Sequence, residues 1–252
     1  MLSKAKIKLI QSLELKKKRK EERLFVAEGP KVVGDLLPLF VCRLIIATEA
    51  WLKAHPYVQA AEVIEVSDEE LRKASFLKAP QEVLALFELP EPMTLAGVAE
   101  KELCLALDDV QDPGNLGTII RVADWFGIKH LICSIGTVDA FNPKTVQASM
   151  GAVARVNIHY VDLPAYLAGL RSLSPQLPIY GTFLEGKNIY KEPLSTNGVI
   201  VMGNEGKGIS SHTGQYLTHK LFIPNYPEGA ETSESLNVAI ATAITCSEFR
   251  RR

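Results

Sequence analysis

The sequence predicts an α/β protein of two layered units, the second and larger one built on a mostly parallel sheet flanked by helices. Short apolar runs alternate with helical patterns along the whole chain, which indicates layers of sheet and helix. After residue 102 the strand-type runs are almost continuously apolar, as expected of parallel strands covered on both faces. Between the two regions lies "PEPMTLAGVAEK", residues 90–101, a polar stretch with two prolines. The expected organisation is therefore a first domain at 1–90, a linker at 91–101 and a second domain at 102–252.

In chain order, residues 2–22 read as one helix with Ile7, Ile10 and Leu13 on one side and lysines elsewhere. Strand-type runs "LFVAEG", "RLIIAT", "AEVIEV" and "EVLALFEL" follow, separated by the helical patterns "KVVGDLLPLF" and "SDEELRKA". Ser67 and Glu70 stand three apart at the start of the last of these, the spacing of a capping box. In the second region, strands are expected at "LCLALDDV", "HLICSI", "VNIHYV", "PIYGTF", "GVIVMG" and "KLFIPN". Helices are expected at "LGTIIRVADWFG", "PKTVQASMG", "LPAYLAGLRSL" and from about Leu236 to the end of the sequence.

Bulk properties exclude several classes. With 47% hydrophobic and 23% charged residues the chain reads as an ordinary globular protein. No apolar run approaches the roughly 18 residues of a membrane span, and the lysine-rich start lacks a signal peptide's apolar core; a soluble, cytoplasmic protein is expected. Four scattered cysteines without a CxxC pair argue against a zinc ribbon or a disulfide framework. Residues 1–23 hold nine Lys or Arg against three Glu, a charge of +6, so a total of -1 leaves -7 for the remainder. Such an arm suits a polyanionic partner, or forms a solvated helix face.

Three loops expected at the carboxyl ends of strands, where open α/β sheets bind ligands, have unusual chemistry. In "DDVQDPGNLGTIIRVADWFG", Asp112 to Asn115 has strong turn character, and Asn115 is a candidate helix cap. Arg121 follows on the helix, where a guanidinium can anchor a phosphate or carboxylate bidentately; alternatively it is a surface cation paired with Asp124. The second loop, "VMGNEGKGIS", resembles a phosphate cradle only superficially. A P-loop needs four residues between its first glycine and Gly-Lys, whereas only Asn204 and Glu205 separate Gly203 from Gly206-Lys207. In the third, Ser235 is a candidate cap for the last helix, with Asn237 beside it and Leu236, Ala239, Ile240, Ala243 and Ile244 along one face. The chain has no G-x-G-x-x-G, HExxH or G-x-S-x-G motif, so dinucleotide, zincin and serine-hydrolase chemistries are not signalled.

Taken in order, "DPGNLGTIIRVADWFG", "IVMGNEGKGIS" and "IPNYPEGAETSESLNVAIATAI" resemble the three signature motifs of the SpoU/TrmH family, S-adenosylmethionine-dependent RNA ribose 2'-O-methyltransferases of the SPOUT class. The start of the chain resembles the small α/β/α ribosomal-protein-like domain that many members use to bind RNA. The resemblance implies a deep trefoil knot in the carboxy-terminal domain and a homodimer formed through it, with active sites using both subunits. It implies S-adenosylmethionine at Thr182, Gly203, Gly206, Ile223 and Leu236, and catalytic or positioning roles for Asn115, Arg121, Glu205, Ser235 and Asn237, with no metal. An unperturbed guanidinium, with a pKa of about 12.5 or more, is a poor base, so phosphate anchoring and hydroxyl polarisation suit Arg121 better. The implied substrate is structured RNA, rRNA before tRNA; a non-catalytic RNA-binding protein on the same fold is the alternative. "NYPEGAETSE", with Glu231 and Glu234, is longer than the corresponding loop of many relatives.

Overall fold

The computed structural model describes residues 2–227 and 235–251. These form two compact units, one comprising the chain up to Glu91 together with Asp139–Ala154, the other Pro92–Val138 and Arg155 onward. Among the described residues no helix is long and apolar enough to cross a membrane.

In the first unit, helices α1 (Lys4–Ser12) and α2 (Lys16–Glu22) precede β1 (Leu24–Glu28), α3 (Pro30–Leu36), β2 (Cys42–Ala47), α4 (Glu49–Ala54), β3 (Val63–Glu65), α5 (Asp68–Ala74) and β4 (Val83–Glu88). The sheet runs β1-β4-β2-β3, with β4 antiparallel to both neighbours and β3 parallel to β2. Ser67 and Glu70 form the expected capping box on α5. The single helix expected at 2–22 is instead two. Leu13 is fully buried, and the carbonyls of Leu13 and Glu14 accept from Arg19 Nη1 at 2.7 and 2.8 Å. A guanidinium thus satisfies carbonyls that a broken helix leaves without partners. Its other edge donates to Asp139 Oδ2, at 3.1 Å from Nε and 2.6 Å from Nη2.

That contact explains why a segment inside 102–252 belongs to the first unit. Asp139 neutralises the buried Arg19, and the ring of Phe141 lies 4.8 Å from that of Phe25. Helix α7 (Pro143–Ser149) then packs on β1. A charged and an aromatic anchor two residues apart bring the segment back, and composition along the chain does not reveal it.

The second unit contains β5 (Leu103–Leu107), α6 (Pro113–Trp125), β6 (His130–Ser134), β7 (Asn157–Val161), α8 (Leu163–Leu173), β8 (Ile179–Asn188), β9 (Gly198–Met202), α9 (Ser211–Gly214), β10 (His219–Phe222) and α10 (Val238–Arg251). Its six strands are all parallel, in the order β10-β8-β9-β5-β6-β7. Every residue of β5 and β9 is buried. Cys104, Ala106, Val199 and Val201 face a cluster that includes Leu163, Leu167 and Leu170 of α8. Helix α10 packs on α6 through a face different from the one expected: Val238, Ala239, Thr242, Thr245, Cys246 and Phe249 are buried, whereas Leu236 and Ile240 stay about half exposed.

Candidate active site

The loops after β5 and β9 leave neighbouring parallel strands on the same sheet edge, so the fold sets them side by side. The glycine-rich loop after β9 folds upon itself. Asn204 and Gly208 exchange both backbone hydrogen bonds, at 3.0 and 2.9 Å, and Asn204 Oδ1 accepts from the amides of Gly206 and Lys207, each at 3.0 Å. These inward-turned amides do not form a phosphate cradle, in agreement with the spacing argument. A Cβ at Gly203 would overlap the backbone of Gly208 and Ile209, and Gly208 adopts φ +67°. Gly203 therefore requires glycine, and Gly208 favours it. Asn204 Nδ2 also donates to the Asp109 carbonyl at 2.7 Å, tying this loop to the one after β5.

Glu205 makes the second tie. Its Oε1 accepts from Asn115 Nδ2 at 3.1 Å and from the Asp112 amide at 3.3 Å, and Oε2 from the Gln111 amide at 3.4 Å. Partial burial pushes the carboxyl up, but these hydrogen bonds outweigh it and hold the group below the usual carboxylate range. Glu205 is thus an ionised positioning group, poorly suited to accept a proton near neutral pH.

Asn115 does not cap α6. Asp112 does, accepting from the Asn115 amide at 2.8 Å ahead of Pro113 in the first turn. The Asn115 side chain is therefore free to bridge: it donates to Glu205 and its Oδ1 accepts from Asn237 Nδ2 at 3.0 Å. Asn237, in turn, is the residue that caps α10, accepting from the amides of Ala239 and Ile240 at 2.9 and 3.3 Å; Ser235 stands further out and does not. The three motifs thus meet in one network, Glu205–Asn115–Asn237. Arg121 lies outside it, exposed, without a hydrogen bond or ion pair to the described residues. Asp124, its alternative partner, is instead held by Arg155 at 2.8 Å.

Beside the network opens a cavity of about 570 Å³. Thr182, Gly203, Gly206, Ile223 and Leu236 all line it, as do Glu205 and Ser235.

Residues 102–247 match the model of the SpoU rRNA Methylase family, and residues 4–85 match that of the MRM3-like substrate binding domain. The chain belongs to the SpoU family. A relative of this SpoU protein in Bacillus subtilis, the 23S rRNA (guanosine(2553)-2'-O)-methyltransferase RlmP, is 31% identical over 248 residues, 97% of this chain and 96% of its own. A TrmH-family structure from Porphyromonas gingivalis is 44% identical with a TM-score of 0.88, covering 100% of this chain and 99% of that one. The AdoMet-bound rRNA methyltransferase of Sinorhizobium meliloti is 31% identical with a TM-score of 0.84, covering 100% and 96%.

The cavity of the SpoU protein suits a nucleoside cofactor. Its volume falls within the roughly 300–1,000 Å³ of small-molecule pockets, its glycine loop permits close backbone approach, and Met202, Phe222, Ile223 and Leu236 give apolar walls. Sequence reasoning missed Phe183, Leu184, Glu185 and Lys220 on its rim. The run "PIYGTF" suggests a strand ending at Phe183, whereas β8 continues to Asn188; only "LEGK" hinted at an irregular segment there. Glu231 and Glu234 lie outside the described residues.

Proposed function

We propose that the protein transfers a methyl group from S-adenosylmethionine to a ribose 2'-hydroxyl of structured RNA in the cytoplasm, with rRNA as substrate. The observation that carries this is the Glu205–Asn115–Asn237 network, whose members stand 90 and 122 residues apart, beside a cavity lined by all five predicted cofactor residues. RlmP, similar over nearly the whole chain, favours rRNA over tRNA. In this proposal Thr182, Gly203, Gly206, Ile223 and Leu236 hold the cofactor, and the deep knot is part of the same arrangement.

The bound cofactor supplies an electrophilic methyl group on a sulfonium; the chain supplies alignment, which can contribute much of such a rate. Glu205 fixes Asn115, and Asn115 fixes Asn237 at the start of α10, so the cavity's rim keeps one geometry. Ser235, exposed at that rim, is available to the incoming ribose. The O–C bond forms as the C–S bond breaks, leaving the demethylated thioether, and the hydroxyl proton passes to solvent water. Arg121 anchors RNA phosphate and polarises that hydroxyl.

Arg121 does this from a second copy of the chain. It is absent from its own cavity's lining, it shares a helix face with Trp125, four residues on and 84% exposed, and Ile240 on the adjoining α10 is half exposed. A homodimer through α6 and α10 covers this apolar surface. In the same proposal residues 1–90 bind RNA, 91–101 link, and 102–252 transfer the methyl group. Arg19 is buried and paired with Asp139, and Arg23 is paired with Glu91, so the basic arm offers RNA its lysines.

Incubation with radiolabelled S-adenosylmethionine and unmodified rRNA should yield alkali-resistant 2'-O-methylated dinucleotides. Saturable cofactor binding without transfer to any RNA would favour the non-catalytic alternative.

A further inference from the structure

The rim segment that sequence reasoning missed has a geometry of its own. Along β10 the ladder to β8 jumps: Lys220 pairs with Gly181, but its neighbour Leu221 pairs with Lys187. Five residues, Thr182 to Gly186, are looped out between those partners, and the first four line the cavity. The loop-out returns tightly at Gly186, where a Cβ would stand 2.9 Å from the Lys220 carbonyl oxygen, so a side chain there is excluded. Bulges of this kind re-aim side chains next to active sites.

Two unspent charges lie on this wall. The ammonium of Lys220 stands 5.0 Å from the centroid of the Phe183 ring, a cation–π placement that restrains it without neutralising it. Among the described residues Lys220 has no acidic partner, although Glu185 sits on the adjoining bulge and lines the same cavity. The cavity's other carboxylate, Glu205, is already occupied by Asn115 and two backbone amides. A cation and an anion on one wall, neither with an ion-pair partner among the described residues, match a zwitterion.

We infer that Lys220, held over Phe183, receives the α-carboxylate of the cofactor's amino-acid tail, and that Glu185 receives its ammonium. The inference rests on the methyltransferase reading and adds a tail subsite to it. The bulge is then a recognition element: it separates S-adenosylmethionine and its demethylated product from nucleosides that share the adenosine but lack the amino acid.

Calorimetric titration with two unreactive probes tests this. S-adenosylhomocysteine carries the amino-acid tail; 5'-methylthioadenosine keeps adenosine and sulfur without it. Lys220→Met, which keeps the stem, should weaken S-adenosylhomocysteine about tenfold, as expected for loss of one charge-assisted contact near water, and leave methylthioadenosine unchanged. Lys220→Arg should retain most of the affinity. Glu185→Gln, an exposed change that leaves the Lys220–Phe183 contact in place, should weaken the same probe selectively. Equal weakening of both probes by Lys220→Met, or no change in either, overturns the inference while leaving the methyltransferase reading intact. Failure of the wild-type protein to bind either probe overturns both.

Discussion

Asn237 donates its side-chain amide to Asn115, 122 residues earlier in the chain, at 3.0 Å, while its own oxygen caps helix α10. One residue thus joins the third motif to the first and starts the helix that follows. Its two roles separate by substitution. Asn237→Ala removes both, and loss of an N-cap costs roughly 0.5–2 kcal/mol. Asn237→Asp keeps the capping acceptor but cannot donate to Asn115. Denaturant midpoints should fall for the alanine variant alone, whereas methyl transfer should fall at least about tenfold in both, the equivalent of about 1.4 kcal/mol. Full activity in the aspartate variant would show that the bridge serves only the cap.

The buried guanidinium of Arg19 should matter far beyond its helix. It is 1% exposed and holds two main-chain carbonyls as well as Asp139. Removing one partner of a buried pair strands the other, at a cost of about 3–5 kcal/mol in the interior. Arg19→Met should approach the lower end, since the Asp139 side chain keeps 15% exposure and some access to water. Hydrogen exchange should show lost protection across Asp139–Ala154 before the strands of the first unit. A loss below about 0.5 kcal/mol, ordinary for a surface change, would mean that Phe141 alone anchors the segment.

The motif loops were legible because their chemistry is local. Gly203 and Gly208 satisfy backbone needs created within six residues, Ser67 and Glu70 cap their own helix, and the apolar runs of β5 and β9 announce their burial. What stayed hidden depends on partners far along the chain. Asn115 has turn chemistry yet leaves the cap to Asp112, because Glu205 and Asn237 claim its side chain. The break after α1 needs Asp139, 120 residues from Arg19, to hold the guanidinium that stabilises it. Lys220 gives no signal in sequence at all, since its setting arises from a register jump between two strands.

Stability should decline below neutrality because of a histidine pair in the second unit. His130 and His159, on adjacent strands, are both buried, and Nδ1 of one lies 3.1 Å from Nε2 of the other. Burial lowers the pKa of each, and the proximity of His130 lowers that of His159 further. A group whose folded pKa is depressed contributes stability above its unfolded value, about 6.5 for histidine, and that contribution is lost as pH falls toward the folded value. Urea midpoints should therefore drop between pH 7.5 and 5.5. His159→Leu should show a smaller drop over the same interval, even if its midpoint at pH 7.5 is lower. An identical pH dependence in the variant would assign the loss to other groups.

Mixing two inactive variants should restore activity if Arg121 serves the partner's cavity. Arg121→Ala should abolish transfer and leave S-adenosylhomocysteine affinity within about twofold, since the arginine does not line its own cavity. Asn115→Ala should also abolish or cripple transfer, by breaking the Glu205–Asn115–Asn237 network within one chain. In a re-assorted mixture, roughly half of the two-fold dimers are mixed. Each mixed dimer contains one site with an intact network facing an intact Arg121, and one site lacking both. About a quarter of wild-type activity is therefore expected from the mixture, against almost none from either variant alone. If Arg121 instead acts on its own chain's network, every site in every combination lacks one of the two groups, and mixing restores nothing. Rates measured before and after re-assortment by mild denaturant distinguish the outcomes, with light scattering to establish that dimers form in both.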